Sequence, residues 1–430
     1  PRVNSAPNEV STYPNSLYSI AFLDDDSVWL GTSDGLFQFR STLFRQPAEL
    51  GRFTTGLNVS RIREDAAERL WFVTHQNSFC LDEGRTRLAK TAVSGGFAWL
   101  TEGESIWQAF GKKVANWRLD PADGQWRVHR HEPLPAVARC LHLTRGGDLW
   151  VGTLGGPCLR SLDGFTLQGP EVPVVAMASD PSDRIYALFA DGSLRWGEDG
   201  HWHHISEGPT GKINALCVDE DGGLWVAGER PALARWKNGH WFPFDGQRID
   251  WPQVALDVLV DDREGLWLST PNIGILWLNH RALDAVAEGR EVRIDHKVFD
   301  INDGLPTAVC AEWDGGMTQT RGGKIWVTTE SGPAVIDLDA LQRTRETSTR
   351  QPIVIKEVRV DDASVEFRSR ADGEPEAGAP LLEVRPGQQR IEFVFSAPNF
   401  SAPEQVRFRY RLDGLDLDWV NGGTVRSTHY

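Results

Sequence analysis

Apolar and polar residues alternate along most of this chain in short runs, broken by Gly, Asp, Asn and Pro, and a period of two is the mark of half-buried β-strands. These runs are organised into a larger repeat: an acidic residue, x, Gly, x, an aliphatic residue, Trp, an apolar residue, x, then Gly or Thr. The copies read DDDSVWLGTSDGLFQF around Trp29, AAERLWFVTHQNSF around Trp71, EGESIWQAFGKKVANW around Trp107, RGGDLWVGTLGGPCL around Trp150, PSDRIYALFADGSLRW around Tyr186, DGGLWVAGERPALARW around Trp225, REGLWLSTPNIGILWL around Trp267 and RGGKIWVTTESGPAVI around Trp326. Their anchors are 42, 36, 43, 36, 39, 42 and 59 residues apart, the length of a four-stranded propeller blade rather than of a helical-repeat unit.

The Trp225 copy shows how one blade is written. Ile213 to Val218 alternates, Asp219-Glu220-Asp221-Gly222-Gly223 supplies a tight hairpin, Leu224 to Ala227 is the second strand and Ala232 to Trp236 the third. Lys237-Asn238-Gly239 then turns into Trp241-Phe242-Pro243-Phe244, an outer strand, since proline is tolerated only at an edge. The Tyr186 copy repeats this, with Trp196 and Trp202 in the roles of Trp236 and Trp241. Helical periodicity is confined to Ala282 to Val286. After Leu338 the repeat stops: 339–352 is a polar linker, and 353–430 resumes strand patterns at sandwich-like spacing. The expected architecture is therefore all-β. A β-propeller over 1–338, with eight motifs and seven or eight blades of four antiparallel strands, precedes an Ig-like β-sandwich that ends before its closing strands. Pairing of Asn8 to Thr12 with the last blade is expected to close the ring, with seven blades the alternative if the Trp29 unit belongs to a preceding propeller.

Composition narrows the function. With 45 Lys and Arg against 60 Asp and Glu the chain carries a net charge of -15, and no basic block marks a nucleic-acid surface. No apolar run is long enough to cross a membrane as a helix. The five cysteines are odd in number and free of CxxC spacing, so neither a zinc site nor a disulfide framework is expected, and no cofactor. The 18 Trp are chiefly structural, because a rigid indole fills the wedge that opens between twisted sheets stacked face to face. Trp99, Trp251 and Trp313 fall outside the repeat frame.

LWVGT and VWLGTSDGLFQF, the FDINDGLP stretch before the last copy, and FRYRLDGLDLDW near the C-terminus together resemble two-component regulator propeller repeats followed by a triple-tyrosine domain. The resemblance covers nearly the whole chain and matches Tyr410, Gly414, Trp419 and Tyr430 to the sandwich motif. It implies the periplasmic, extracytoplasmic sensor region of an inner-membrane bacterial histidine kinase or diguanylate cyclase, with carbohydrate a frequent ligand. It further implies membrane attachment only through a segment absent from this chain, and a homodimer through the C-terminal sandwich. The abrupt start and the missing output module read as a C-terminal part of a longer sensor.

No HExxH, GxSxG, Walker or strand-linked GxGxxG sequence is present, so no catalytic or metal-binding residue is assigned. His203 and His204 in GHWHHI fall on opposite strand faces, and hairpin acids such as Asp261-Asp262 and Asp24-Asp25-Asp26 serve turn geometry. A small-molecule or oligosaccharide ligand belongs where loops converge over the central channel. Alignment on the anchors places Tyr18, Arg139 and Asn214 eleven residues before them, Asn58, Lys212 and Trp313 at thirteen, and Arg61 and Asp257 at ten. Differing side chains at equivalent offsets are what a non-repeating site requires. Non-catalytic sensing is the leading expectation, against a protein-binding propeller scaffold or a carbohydrate-active lyase or hydrolase.

Overall fold

The computed structural model describes residues 16–22, 27–39, 42–47, 50, 59–81, 89–94, 98–198, 200–206, 208–244, 252–263, 265–287, 296–311, 316–348, 353–361, 363–365, 386–388, 390–397, 406, 408–416 and 418–430. Residues 42–338 form one unit, and 1–41 with 339–430 the other.

Within 42–338, seven antiparallel four-stranded sheets follow one another. Their strands lie within 59–94, 98–133, 138–167, 174–204, 213–244 and 257–299, and in the seventh within 317–337 plus Phe44–Arg45. Each innermost strand contacts that of the next sheet, and the seventh returns to the first, so the ring is closed. Arg321 of the seventh blade seals the junction, donating from its backbone N–H to Glu64 Oε2 (2.9 Å) and from Nη1 to the Ala66 carbonyl (3.0 Å).

The ring has seven blades and begins at residue 42, not at residue 1. Asn8 to Thr12 lie outside the described residues, and the outer place in the last blade belongs to Phe44–Arg45, with Phe44 opposite Ile336. Phe44 is fully buried and meets Phe299 of the sixth blade edge-on at 5.3 Å. The Trp29 copy forms a separate three-stranded sheet, Leu17–Phe22, Val28–Thr32 and Gly35–Phe39, outside the ring.

The anchors are wedges between blades. Trp71, Trp107, Tyr186, Trp225 and Trp267 are each at most 1% exposed. Trp71 lies in the apolar cluster shared with the second blade, Trp107 with the third, Tyr186 with the fifth, Trp225 with the sixth and Trp326 with the first. Trp99, outside the repeat frame, is buried on an innermost strand with its ring 5.5 Å from Trp71; Trp251 and Trp313 lie outside the described residues.

Two segments depart from the pattern reading. The helical turn expected at 282–286 is a helix over His280–Ala287, and the linker expected at 339–352 begins with a helix, Leu338–Ser348. Leu338 and Leu341, three apart and both buried, give that otherwise polar helix its one apolar face.

The C-terminal strands form a four-stranded sheet in the order Ala363–Val365, Val354–Val360, Ile391–Ser396, Ser427–His429, together with a hairpin of Phe408–Tyr410 and Val420–Gly423. Phe395, Ala397 and Phe408 form its core, joined by Phe393, Val406 and Tyr410. Tyr430 donates its hydroxyl to Asp416 Oδ2 (2.5 Å) and packs against Tyr410 at 6.2 Å; burial and that carboxylate push its hydroxyl up to about 12. Gly414 takes a φ of 92°, and Trp419 stays half exposed, with Arg409 and Arg411 each 5.4 Å from its ring.

Candidate functional site

The innermost strands carry a shared irregularity. Pairing with the second strand skips one residue in the first, third, fourth and fifth blades, leaving Ser60, Arg139, Val175 and Asn214 as bulge residues. The sheet outside the ring does the same at Tyr18. Every one of these lies eleven residues before its anchor. A β-bulge leaves one residue out of the ladder and re-aims its side chain. The offset picked out by sequence alignment is thus a structural position at the end of the channel where the innermost strands begin.

The eight expected site residues separate at this point. Arg139 and Lys212 are exposed at that end of the ring. Asn214 is half-buried and donates from Nδ2 to the Ala255 carbonyl (2.9 Å), linking its blade to the segment leading into the next. Arg61 and Asp257 are buried at 8% and 5% exposure. Asp257 accepts from the backbone N–H groups of Met317 (3.0 Å) and Val258 (2.9 Å), which ties the sixth blade to the seventh and gives the carboxylate a structural task. Tyr18 is 73% exposed but sits on the sheet outside the ring, so it lines none of the seven innermost strands. Asn58 and Trp313 lie outside the described residues. Ser60 and Val175 were reachable by the same offset, but neither charge nor size singles them out; Ser60 is spent on the Val73 carbonyl (3.0 Å), while Val175 is 37% exposed.

Hairpin acids at the opposite end of the blades are committed to the fold. Asp65, Asp219 and Asp261, each six residues before an anchor, accept that indole's N–H at 2.9, 2.8 and 2.7 Å. Their second oxygens cap the hairpin, Asp261 Oδ1 taking the N–H groups of Arg263 (2.8 Å) and Gly265 (2.7 Å). This explains the glycine two residues before the anchor: a Cβ on Gly223 would stand 2.7 Å from Asp219 Oδ2 and 2.5 Å from Arg235 Nε, so close approach rather than positive φ selects glycine there. Asp219 also pairs with Arg235 Nη2 (2.5 Å) and contacts His280 Nε2 (3.1 Å), while Arg235 reaches Asp284 and lies 4.7 Å over Trp225. Burial opposes ionisation of Asp219, yet His280, Arg235 and the Gly223 and Trp225 N–H groups hold its carboxyl well below the ordinary carboxylate range.

A cleft of about 380 Å³ opens between the fourth and fifth blades at this end, lined by Asp180, Arg184, Tyr186, Glu220, Trp236 and Lys237 among others. Its charges are paired: Glu220 with Arg145 (2.7 Å), Lys237 with Asp221 (3.4 Å), and Arg184 with Glu198 (3.4 Å) while lying 4.6 Å over Trp196. Among the described residues no group of three or more His, Cys, Asp or Glu converges. His203 stacks on Trp196 at 4.2 Å, and His142 Nε2 meets Ser179 Oγ at 2.9 Å across the third and fourth blades. None of the five cysteines is in a disulfide; burial pushes the Cys217 and Cys310 thiols up to about 12.

A ring of repeated blades with bulges at one fixed offset can now be set beside known proteins. Residues 207–230 match the two component regulator propeller family. These residues include the first strand and hairpin of the fifth blade, so one blade carries that family's propeller repeat. The extracellular domain of a hybrid two component system from B. thetaiotaomicron is similar in structure, with a TM-score of 0.64 at 18% identity over 100% of this chain and 59% of that one. That of a one component system from the same organism gives 0.52 at 16% identity, over 98% and 60%. The chain thus spans about three-fifths of the length of these two extracellular domains. Virginiamycin B lyase from Staphylococcus aureus gives 0.50 at 14% identity, over 68% of this chain and 98% of the lyase. No curated protein matches the sequence. At these identities the likeness is one of fold, and the propeller serves receptors and an enzyme alike.

Proposed function

We propose that this chain is the ligand-sensing, extracytoplasmic part of a membrane-bound bacterial signalling receptor, whose kinase or cyclase output lies outside it. The carrying observation is the bulge position: one backbone geometry, shared by the first, third, fourth and fifth blades, carries serine, arginine, valine and asparagine in turn, and of these Arg139 and Val175 are left exposed. A scaffold that holds position constant while chemistry varies is suited to recognising an asymmetric small molecule or oligosaccharide. The two component regulator propeller match at 207–230 and the shared fold of two extracellular receptor domains support the same reading. No catalytic role is assigned, since the buried carboxylates described above are occupied by indole, guanidinium and backbone donors. The C-terminal strands are proposed to form the Ig-like triple-tyrosine domain that relays binding, through homodimerisation, to the inner membrane.

The test is a thermal-shift screen of the 430-residue chain against plant and bacterial oligosaccharides and small acids, followed by calorimetry and product analysis. A ligand that binds the native state raises the melting temperature, by about 2.7 kcal/mol of stabilisation at a hundredfold excess over Kd. The reading expects saturable binding that falls in Arg139→Ala and leaves the ligand chemically intact. Accumulation of cleaved or eliminated product would refute it.

A further inference from the structure

We infer that the mouth of the channel at the bulge end accepts an anionic ligand, a small molecule or oligosaccharide bearing carboxylate, sulfate or phosphate, with Arg139 and Lys212 as its principal contacts. The inference rests on the sensor reading above and narrows it to one class of ligand.

The chain is acidic overall, with a net charge of -15, so cations without partners at one end of the ring need an explanation. The turn between the second and third strands of the second blade accepts backbone hydrogen bonds from the segment leading into the third: Leu134 N–H to Lys112 O (2.9 Å) and Ala138 N–H to Gly111 O (2.8 Å). Lys112 is thereby fixed beside the start of the strand whose bulge residue is Arg139. In the fifth blade the corresponding turn instead donates to the lead-in of its own innermost strand: the Glu229 N–H reaches Lys212 O (2.8 Å), which brings Arg230 alongside Lys212. Lys112, Arg139, Lys212 and Arg230 are all exposed, and among the described residues none is ion-paired.

Acidic residues at the same end include Glu171 on the segment leading into the fourth blade, and Asp191, Glu229 and Glu330 in the second-to-third-strand turns of the fourth, fifth and seventh blades, all exposed; of these Asp191 is paired with Arg195 (3.1 Å). The opposite end differs, for there the arginines of the third and fourth blades are already neutralised, Arg145 by Glu220 and Arg184 by Glu198. A guanidinium displayed from a bulge offers a planar fork for bidentate hydrogen bonding to an oxyanion, and low-dielectric channel walls focus its field. Val175, on the blade between Arg139 and Asn214, adds an exposed apolar surface for the ligand's uncharged body.

Calorimetry of the full chain at low salt with trigalacturonate, citrate, inorganic phosphate and neutral cellotriose tests this, using Arg139→Ala, Arg139→Lys, Lys212→Ala and, as a control at the other end, Arg145→Ala. At least one anionic probe is expected to bind saturably, and to weaken roughly ten- to hundred-fold in Arg139→Ala and in Lys212→Ala, the loss expected for a hydrogen bond to a charged group. Arg139→Lys should recover part of the loss, Arg145→Ala should bind normally, and added salt should weaken binding. Binding by phosphate or citrate identifies a simple anion as sufficient; binding by trigalacturonate alone identifies an acidic sugar; either supports the inference. Failure of every anionic probe to bind, or anion binding indifferent to both Arg139 and Lys212, overturns it. Saturable cellotriose binding that is lost in Val175→Asp, with no anion bound, overturns the anionic assignment and leaves the sensor reading standing.

Discussion

Replacing Asp261 with alanine separates a structural carboxylate from a functional one. In the native sixth blade Asp261 is 7% exposed and serves three donors: the Trp267 indole N–H and the backbone N–H groups of Arg263 and Gly265. The hydrogen bonds to Trp267 and Gly265 are buried, so alanine leaves two donors without acceptor or water. Each orphaned buried donor costs about 1–3 kcal/mol, so the expected loss is roughly 4 kcal/mol. An entropy of unfolding near 2.1 cal/mol/K per residue over a ring of this size converts that to a fall in Tm of about 6 °C. The seventh blade contains the comparison: Thr320 stands six residues before Trp326 and caps Lys324 N–H (3.3 Å), but the buried Trp326 Nε1 has no hydrogen-bond partner. Asp261→Thr should therefore cost about half as much as Asp261→Ala. Removing the donor as well, in Asp261→Ala/Trp267→Phe, should be less harmful than the two single changes added together, by about 1–2 kcal/mol, because the orphan disappears with its partner. Differential scanning calorimetry of the wild type and the four variants, Trp267→Phe included, reads this directly. An Asp261→Ala chain melting within about 1 °C of wild type, or strictly additive changes, would refute the argument that these acids are spent on the fold.

Further outcomes follow from the same geometry. Phe44→Ala, at the fully buried closing strand, should cost about 3–5 kcal/mol in calorimetry, whereas deletion of residues 1–41, which lie outside the ring, should leave the transition of 42–338 in place; a lost transition in that deletion would contradict closure by Phe44–Arg45. Thr320→Asp should supply the acceptor that Trp326 lacks and raise Tm by about 1–2 °C; no gain would show that the indole is already satisfied. The Asp219 carboxyl titrates lower in the folded chain than its ordinary value of 3.8, so its contribution is fully present above about pH 4 and is lost as pH falls through the lower folded value. Tm measured from pH 5 to pH 2 should therefore fall less steeply in Asp219→Asn, from a lower starting value, and parallel curves would reject the linkage. Cys140, Cys158 and Cys310 are buried, so native protein should react with a thiol reagent at these positions only on unfolding, which mass spectrometry of the labelled peptides would show.

The local sequence determined what depends on neighbours along the chain: the alternation that makes strands, the acid, glycine and indole of hairpins such as those of the fifth and sixth blades, and the offset eleven residues before the anchor that proved to be a bulge in the first, third, fourth and fifth blades. These signals are legible because each is satisfied within one blade, by partners a few residues away, such as Asp261 and Trp267. Tertiary structure decided what depends on distant partners. Phe44 pairs with Ile336 across the whole ring, and a two-residue strand has no pattern of its own to announce that pairing. The Trp29 copy has the motif of a blade yet stands outside the ring, because the anchor pattern describes a sheet and not its neighbours. Arg61 and Arg139, at adjacent offsets, look alike as letters, but Arg61 pairs in the ladder and is buried, while Arg139 is the bulge residue of its strand and is exposed. Burial belongs to the assembled ring, and it is burial that separates the charges holding the fold from those left free to meet a ligand.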